Sequence, residues 1–337
     1  MPQDTKQPLQ GQDIMLAEEH KKDLIFVRFP NYYRACNFHC PYCIADLESD
    51  AIRYKWPYRE NHANILKNLL KLDYRFNIRL GPAGEFFLSK ELINDARKLT
   101  HEDKVEGVNL ITNLSLPLAK YEAHLDGFDL SKVAIVASLH PTEIENHDDW
   151  IEKAQILQET VELAVVLVAY PPLLYLLPKL HKKLTEKKIP VAVNGFIGSF
   201  GGNRYPEAYT NIEKELLRNI SFSRHEYEYW IEARKPGLCN AGHKSIYIDI
   251  KNGQTYSCGA ANKHYLGNLL TGTSLTLLNR PMPCENQRCL CDSENLNPVV
   301  FENYYQRKGI GLRGYQYKYE EESQHNDNIS EWNIAYW

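Results

Sequence analysis

Apolar stretches of strand length alternate with amphipathic stretches of helical length through most of the chain. Strands are predicted at residues 24–29, 76–80, 107–112, 132–138, 162–169 and 190–194. Helices are predicted between them at residues 62–72, 90–99, 116–124, 148–158 and 173–187. This alternation is typical of βα units around a parallel sheet. We therefore predict an α/β fold in which six parallel strands form a partial (β/α)6 TIM-like barrel.

Polar and flexible residues recur where the predicted strands end. Ligands bind at the carboxyl ends of the strands in such sheets, so these positions are candidate site residues. They are a cysteine loop after the first strand, Ala83, Gly84 and Glu85 after the second, Asn113 after the third, and Ser138 and His140 after the fourth. Asn113 and Ser138 are equally compatible with capping the helices that follow. His140 precedes a proline, which is more typical of a solvated turn residue.

The loop after the first strand contains Cys36, Cys40 and Cys43 in the spacing C-x3-C-x2-C. Three thiolates can hold three irons of a 4Fe-4S cluster and leave the fourth iron open to another ligand. A zinc site that takes a fourth ligand such as His39 is the alternative. Zinc sites usually combine two closely spaced ligand pairs, and a second pair is not found nearby. The spacing therefore favours an iron–sulfur cluster.

Composition limits the class of protein and its surroundings. The 337 residues suggest one large domain and a smaller one, and a net charge of -4 disfavours binding to nucleic acid or an anionic membrane. The N-terminus lacks the apolar region of a signal peptide, and the longest apolar run, residues 163–174, is too short to span a bilayer. We expect a cytoplasmic protein, in which clustered cysteines are metal ligands rather than disulfides.

A second cysteine group lies near the end of the chain. It contains five thiols, at Cys239, Cys258, Cys284, Cys289 and Cys291. Two strand-like runs joined through residues 251–253 predict a hairpin with a type I' Asn-Gly turn, which would bring Cys239 and Cys258 together. Five thiols cannot fully ligate two cubes, so one auxiliary 4Fe-4S cluster is the economical interpretation. A zinc site built from these cysteines is the alternative.

One of these five thiols would be left over. Cys289 and Cys291 are only two residues apart, which makes it difficult for both to reach one cube. We therefore expect the spare thiol among the last three cysteines. Such a thiol could donate a hydrogen atom to a substrate radical, because an S–H bond is weak. Alternatively, this fifth thiol is a further ligand to a cluster of unusual type. Spacing does not decide between the two.

The cysteine loop, which carries an aromatic residue before its last cysteine, resembles that of the radical S-adenosylmethionine (radical SAM) enzymes. By this resemblance Cys36, Cys40 and Cys43 hold the cluster and Tyr42 lies against the adenine. Ala83-Gly84-Glu85 resembles the family's Gly-Gly-Glu segment, which receives the ammonium group of the methionine moiety. Alanine replaces the first glycine, and the proline that commonly follows is missing. Asn113 and Ser138 resemble residues that reach the ribose and carboxylate of S-adenosylmethionine.

The resemblance also implies a reaction. In this family S-adenosylmethionine binds the open iron, and its reductive cleavage gives a 5'-deoxyadenosyl radical that abstracts a carbon-bound hydrogen. The spacing from Cys239 to Cys258 resembles the opening of the SPASM and twitch modules, which hold auxiliary clusters. Such enzymes act on ribosomally made peptides or on sugars and aminocyclitols. The outcome is oxidation, cross-linking or epimerisation, and the electron donor is a flavodoxin or ferredoxin. A noncatalytic iron–sulfur or zinc protein for redox sensing or assembly is the alternative.

The predicted domain organisation follows from both cysteine groups. Its parts are an N-terminal extension (1–21), a radical SAM core (22–215), a small α+β SPASM/twitch-like iron–sulfur module (216–294) and a C-terminal tail (295–337). The glycine-rich segment 195–209 follows the last predicted strand, and we expect it to form a wall of the substrate or cofactor site. Its Arg204 could bind a carboxylate, although a loop arginine is usually solvated.

Overall fold

The computed structural model of the chain describes residues 24–31, 35–43, 58–221, 227–228, 230–232, 238–260, 263–272 and 274–285. The predicted N-terminal extension and C-terminal tail lie outside the described residues. So do Cys289 and Cys291, the candidates for the spare thiol.

Six parallel strands form the main part of a nine-stranded sheet. They are β1 (Leu24–Asn31), β2 (Arg75–Pro82), β3 (Val105–Thr112), β4 (Val133–Leu139), β5 (Glu162–Ala169) and β6 (Val191–Gly195). The helices are α1 (Arg59–Leu69), α2 (Lys90–Thr100), α3 (Leu118–Leu125), α4 (His147–Gln158), α5 (Leu177–Glu186) and α6 (Asn211–Ile220). This parallel α/β sheet confirms the predicted fold class.

The two faces of β1 differ in the way that the alternating pattern requires. Ile25, Val27 and Phe29 are buried in the same core as Ile65 and other residues of α1. The opposite face contains Phe26 and Arg28. Because side chains alternate along a strand, the first set packs under the helices and the second lines the inner face of the sheet. Because β1 to β6 are all parallel, their carboxyl ends lie at the same edge of the sheet.

Three strands from the C-terminal part of the chain extend the same sheet. They are β10 (Ser245–Ile248), β11 (Gln254–Tyr256) and β12 (Tyr265–Asn268), in the order β12-β11-β10-β1. Strand β10 is parallel to β1, whereas β11 is antiparallel to both β10 and β12. The cysteine-containing C-terminal region is therefore joined to the first strand of the parallel sheet. The domain boundary predicted at residues 215–216 lies inside α6 and stays a prediction.

The hairpin between β10 and β11 is present, but its predicted turn type is wrong. A type I' turn needs positive φ at both central residues. Only Gly253 has it, with φ 72°. Asn252 instead accepts a hydrogen bond from the Gln254 N–H through its side-chain oxygen at 2.9 Å, and the Gly253 N–H donates to the Asp249 carbonyl at 2.8 Å. The side chain of Asn252 thus stabilises a longer loop, and only its last residue needs glycine.

Two short antiparallel ribbons lie outside the nine-stranded sheet. The glycine-rich segment after β6 forms β7 (Gly198–Phe200) and β8 (Asn203–Tyr205), a pairing that sequence analysis did not predict. Arg204 is exposed on this ribbon. The second ribbon pairs β9 (Leu238–Cys239) with β13 (Met282–Pro283). None of the described helices is long and apolar enough to cross a membrane.

Candidate functional site

The cysteine loop lies directly after β1, at the carboxyl edge of the parallel sheet. Cys36 and Cys40 are half-buried and Cys43 is exposed. The Cys43 N–H donates to the Cys40 carbonyl at 3.1 Å, and the Phe38 N–H donates to Cys36 Sγ at 3.5 Å. Burial, followed by the charges of Glu143, Cys43 and Cys36, raises the pKa of the Cys40 thiol. A thiolate at Cys40 would therefore be favoured by a cationic centre beside it.

Glu85 connects the second strand to the third. Its side chain is only 1% exposed. One carboxylate oxygen accepts hydrogen bonds from the Thr112 hydroxyl at 2.6 Å and the Phe87 N–H at 3.1 Å, and the other accepts from the Asn113 N–H at 2.6 Å. Burial raises the pKa of Glu85 to about 7 despite these donors. No Lys, Arg or His in the described part of the chain forms an ion pair with this carboxylate.

Asn113 connects Glu85 to the cysteine loop. Its side-chain Nδ2 donates to Asn37 Oδ1 at 3.1 Å and lies 3.9 Å from Cys36 Sγ. Its carbonyl accepts a hydrogen bond from the buried indole of Trp150 at 3.0 Å. Glu85 itself is tied to the loop, because its N–H donates to the Ala35 carbonyl at 2.7 Å. The ends of β1, β2 and β3 are therefore held together by one hydrogen-bond network.

The other predicted ligand residues lie along the same edge. Ala83 and Gly84 are half-buried in the loop before Glu85, and Ser138 is half-buried within β4. The capping alternative for Asn113 and Ser138 is wrong, because the N-caps of α3 and α4 are Pro117 and Asn146. Their assignment to S-adenosylmethionine stays a prediction.

Aromatic side chains pack against the cysteine loop from the ends of β4 and β5. The Tyr42 ring is 5.7 Å from the His140 ring and 4.9 Å from the Tyr170 ring, and Phe38 contacts His140 edge-on. Burial lowers the pKa of His140 to about 4, so its imidazole is neutral at physiological pH. His140 opens the expected turn, because its carbonyl accepts a hydrogen bond from the Glu143 N–H at 3.0 Å. The expectation that its ring is solvated is wrong, because the ring packs against two aromatic residues of the cysteine loop.

The second cysteine group lines a cavity of about 300 Å³. Cys239, Cys258 and Cys284 all contribute to its wall, together with Lys263 and His264. Cys239 comes from β9, and Cys284 follows its partner β13. Cys258 follows β11, where paired hydrogen bonds between Ser257 and His264 close the loop. Three of the five C-terminal cysteines therefore line one cavity. The sequence predicted this proximity only for Cys239 and Cys258.

The donor sets fit iron–sulfur clusters in two respects. The first group supplies three thiols within one loop, and three thiols of the second group line one cavity. In the described part of the chain, no three His, Cys, Asp or Glu side chains converge around a single metal ion. A cube has different requirements, because each thiolate binds a different iron. Both assignments stay predictions.

Several residues that shape this edge were missed by sequence analysis. Thr112 and Trp150 hold the Glu85–Asn113 network in place. Arg28 and Arg79 lie side by side in register on β1 and β2, and both guanidinium groups lie close to the Phe26 ring centre, at 5.6 and 5.3 Å. The sequence could have indicated these two arginines, because each lies between two buried apolar residues of a strand and therefore faces the opposite side of the sheet.

Comparison with solved structures shows what this fold is similar to. Hexahistidine-tagged anSMEcpe with bound AdoMet has a TM-score of 0.53 and 13% identity, over 91% of this chain and 97% of that one. Native anSMEcpe with bound AdoMet and Cp18Cys peptide has a TM-score of 0.52 and 13% identity, over 90% and 96% of the two chains. At this identity the likeness concerns the fold alone. The chain therefore shares its fold with anSMEcpe.

Other comparisons add little. The alignment with BtrN in an open conformation covers 94% of this chain and 98% of BtrN, at 12% identity. Its TM-score of 0.37 is too low to support an argument. No family model and no curated protein matches the sequence.

Proposed function

We propose that this protein is a radical SAM enzyme that abstracts a carbon-bound hydrogen from its substrate. The observation that carries the proposal is the position of the three-cysteine loop. It follows the first strand at the ligand-binding edge of a parallel sheet, and Asn113 and Glu85 join it to the next two strands. A metal-binding loop without a catalytic role would not need this connection to the edge where substrates bind.

The candidate site residues divide between the cluster and its proposed ligand. Cys36, Cys40 and Cys43 would hold a 4Fe-4S cluster, and Tyr42 would lie against the adenine of S-adenosylmethionine (AdoMet). When bound, the reduced cluster and AdoMet would supply a 5'-deoxyadenosyl radical. The remaining candidate positions would receive the methionine and ribose groups of AdoMet; they are Ala83, Gly84, Glu85, Asn113 and Ser138.

Glu85 would act mainly through its charge and its hydrogen bonds. Both carboxylate oxygens already accept protein N–H or O–H groups, so the side chain fixes Asn113 and the preceding loop. An ammonium group near this loop would stabilise the ionised carboxylate and lower its pKa.

We assign an auxiliary cluster to the cavity lined by Cys239, Cys258 and Cys284. These three thiols would supply ligands, and a fourth would come from Cys289 or Cys291. The remaining thiol is the candidate hydrogen donor. An electron accepted by the auxiliary cluster would lead to oxidation or cross-linking, whereas hydrogen donation by the thiol would lead to epimerisation. A zinc ion in the cavity would remove the first of these routes.

A peptide is the first substrate class to test. The support is the fold shared with anSMEcpe, which was solved with a bound peptide. A sugar or aminocyclitol is the second class.

Formation of 5'-deoxyadenosine tests the proposed function. The protein is reconstituted anaerobically with iron and sulfide, reduced with dithionite and supplied with AdoMet, and products are separated by chromatography. We expect 5'-deoxyadenosine from the wild type and roughly a hundredfold less from Cys40→Ala, because removing one of three ligands should abolish the open-iron cluster. An intact wild-type cluster that yields none would contradict the proposal and favour a noncatalytic iron–sulfur protein.

A further inference from the structure

The turn after β4 packs against the cysteine loop at several points. Oε2 of Glu143 accepts a hydrogen bond from the His39 N–H at 2.9 Å. Three residues earlier, the His140 ring contacts the rings of Phe38 and Tyr42. The contacts involve residues on both sides of Cys40. This turn therefore fixes the backbone around the middle cysteine.

Glu143 also brings a negative charge to the loop. It is half-buried, and its Oε1 accepts a hydrogen bond from the Thr142 hydroxyl at 3.4 Å. Within the described ranges, no Lys or Arg forms an ion pair with it. Its Oε2 is hydrogen-bonded to the backbone N–H of His39, the residue directly before Cys40. The carboxylate is thus close enough to Cys40 to affect any charge that develops there.

We propose that Glu143 is a positioning residue that holds the backbone at His39 and lowers the reduction potential of the cluster bound by Cys36, Cys40 and Cys43. This inference rests on the proposed function, since it requires a cluster at those three thiols. It assigns a role to a residue that sequence analysis did not identify.

Two physical effects of Glu143 would both lower the reduction potential of the cluster. A nearby negative charge disfavours the extra electron of the reduced cluster, and a cluster potential depends on net charge and on hydrogen bonds to its sulfur atoms. The carboxylate also occupies the His39 N–H, which then cannot donate to a cluster sulfur. Both effects make the reduced cluster a stronger reductant, which favours electron transfer to AdoMet.

The test compares Glu143→Gln with Glu145→Gln by an EPR-monitored redox titration of the reconstituted holoenzyme. In Glu143→Gln the amide oxygen of the new side chain can still accept from His39, so this variant removes the charge and keeps the hydrogen bond. Glu145 is exposed two residues further along the same turn, and its substitution changes the net charge equally. We expect a more positive midpoint potential in Glu143→Gln, and the wild-type value in Glu145→Gln.

The outcomes separate this inference from the proposed function. A wild-type protein that binds no cluster at the three thiols would overturn both. A cluster with the same potential in wild type and Glu143→Gln would overturn only the role of Glu143, and so would an equal shift in Glu145→Gln. If Glu143→Gln does not retain its cluster, Glu143→Asp must restore it at the wild-type potential. Failure of that charge-retaining variant would overturn the inference.

Discussion

Among single residues, Glu85 shows most clearly how the surroundings of a side chain set its pKa. It accepts three hydrogen bonds, which favour its ionised form, and yet burial keeps its pKa at about 7. In the unfolded chain the carboxyl group has the ordinary value of 4.5. Because the folded pKa is raised, the folded protein binds the proton more tightly than the unfolded chain does. Its stabilising contribution is therefore complete below the unfolded pKa and is lost as pH rises through the folded one.

This linkage predicts a pH-dependent difference between wild type and Glu85→Gln in the metal-free protein. As pH rises from about 4.5 to about 8, the contribution of Glu85 to the free energy of unfolding should fall by on the order of 3 kcal/mol. Glu85→Gln should lack this fall, because an amide does not titrate in the range. Urea unfolding at several pH values measures it, with the exposed Glu122→Gln on α3 as the control. The same pH dependence in Glu85→Gln and wild type would contradict this account of Glu85.

Residue environments were harder to predict than residue positions. The place of Glu85 after the second strand follows from its sequence, but its partners Thr112 and Asn113 belong to the third strand and the loop after it. His140 precedes a proline, which suggested a solvated ring, whereas the ring contacts Phe38 and Tyr42 of a distant loop. Such contacts join residues far apart in sequence, and local patterns carry no information about them.

At the level of secondary structure, the short elements of the C-terminal region determine where its cysteines lie. Gly253 illustrates the constraint, since a Cβ there would come within 2.6 Å of Leu270 and its φ is positive. The hairpin was predicted from Asn252-Gly253, but its turn type was not, because the Asn252 side chain stabilises a longer loop. The pairing of β9 with β13 places Cys284 beside the cavity, and two-residue strands leave no periodic pattern in the sequence.

The iron content of the reconstituted protein tests whether these elements hold an auxiliary cluster. After anaerobic reconstitution the wild type should contain about eight irons and about eight sulfides per chain, because two cubes carry about four of each. Cys258→Ala/Cys284→Ala should retain about four irons, and Cys36→Ala/Cys40→Ala should retain the other four or so. Metal analysis and sulfide assay measure both. Zinc in the wild type that disappears from the first variant alone would contradict the auxiliary-cluster proposal.

Across the whole molecule, sequence patterns predicted the parallel core well and its assembly less well. The six strands were recognised because apolar runs alternate with helices, and each observed strand overlaps its predicted range. The sheet order was not predictable, since β10 pairs with β1 across more than two hundred residues of chain. That pairing connects the two cysteine groups through one continuous sheet, and helical periodicity contains no signal for it.

The most direct test of the central claim is the effect of AdoMet on the EPR spectrum of the reduced cluster at Cys36, Cys40 and Cys43. Cys258→Ala/Cys284→Ala is used to remove overlapping signals from the auxiliary site, and ATP serves as a control nucleotide. Binding of AdoMet to an open iron should change the g-values and line shape of the signal, while ATP should leave them unchanged. An identical spectrum with and without saturating AdoMet would contradict the account.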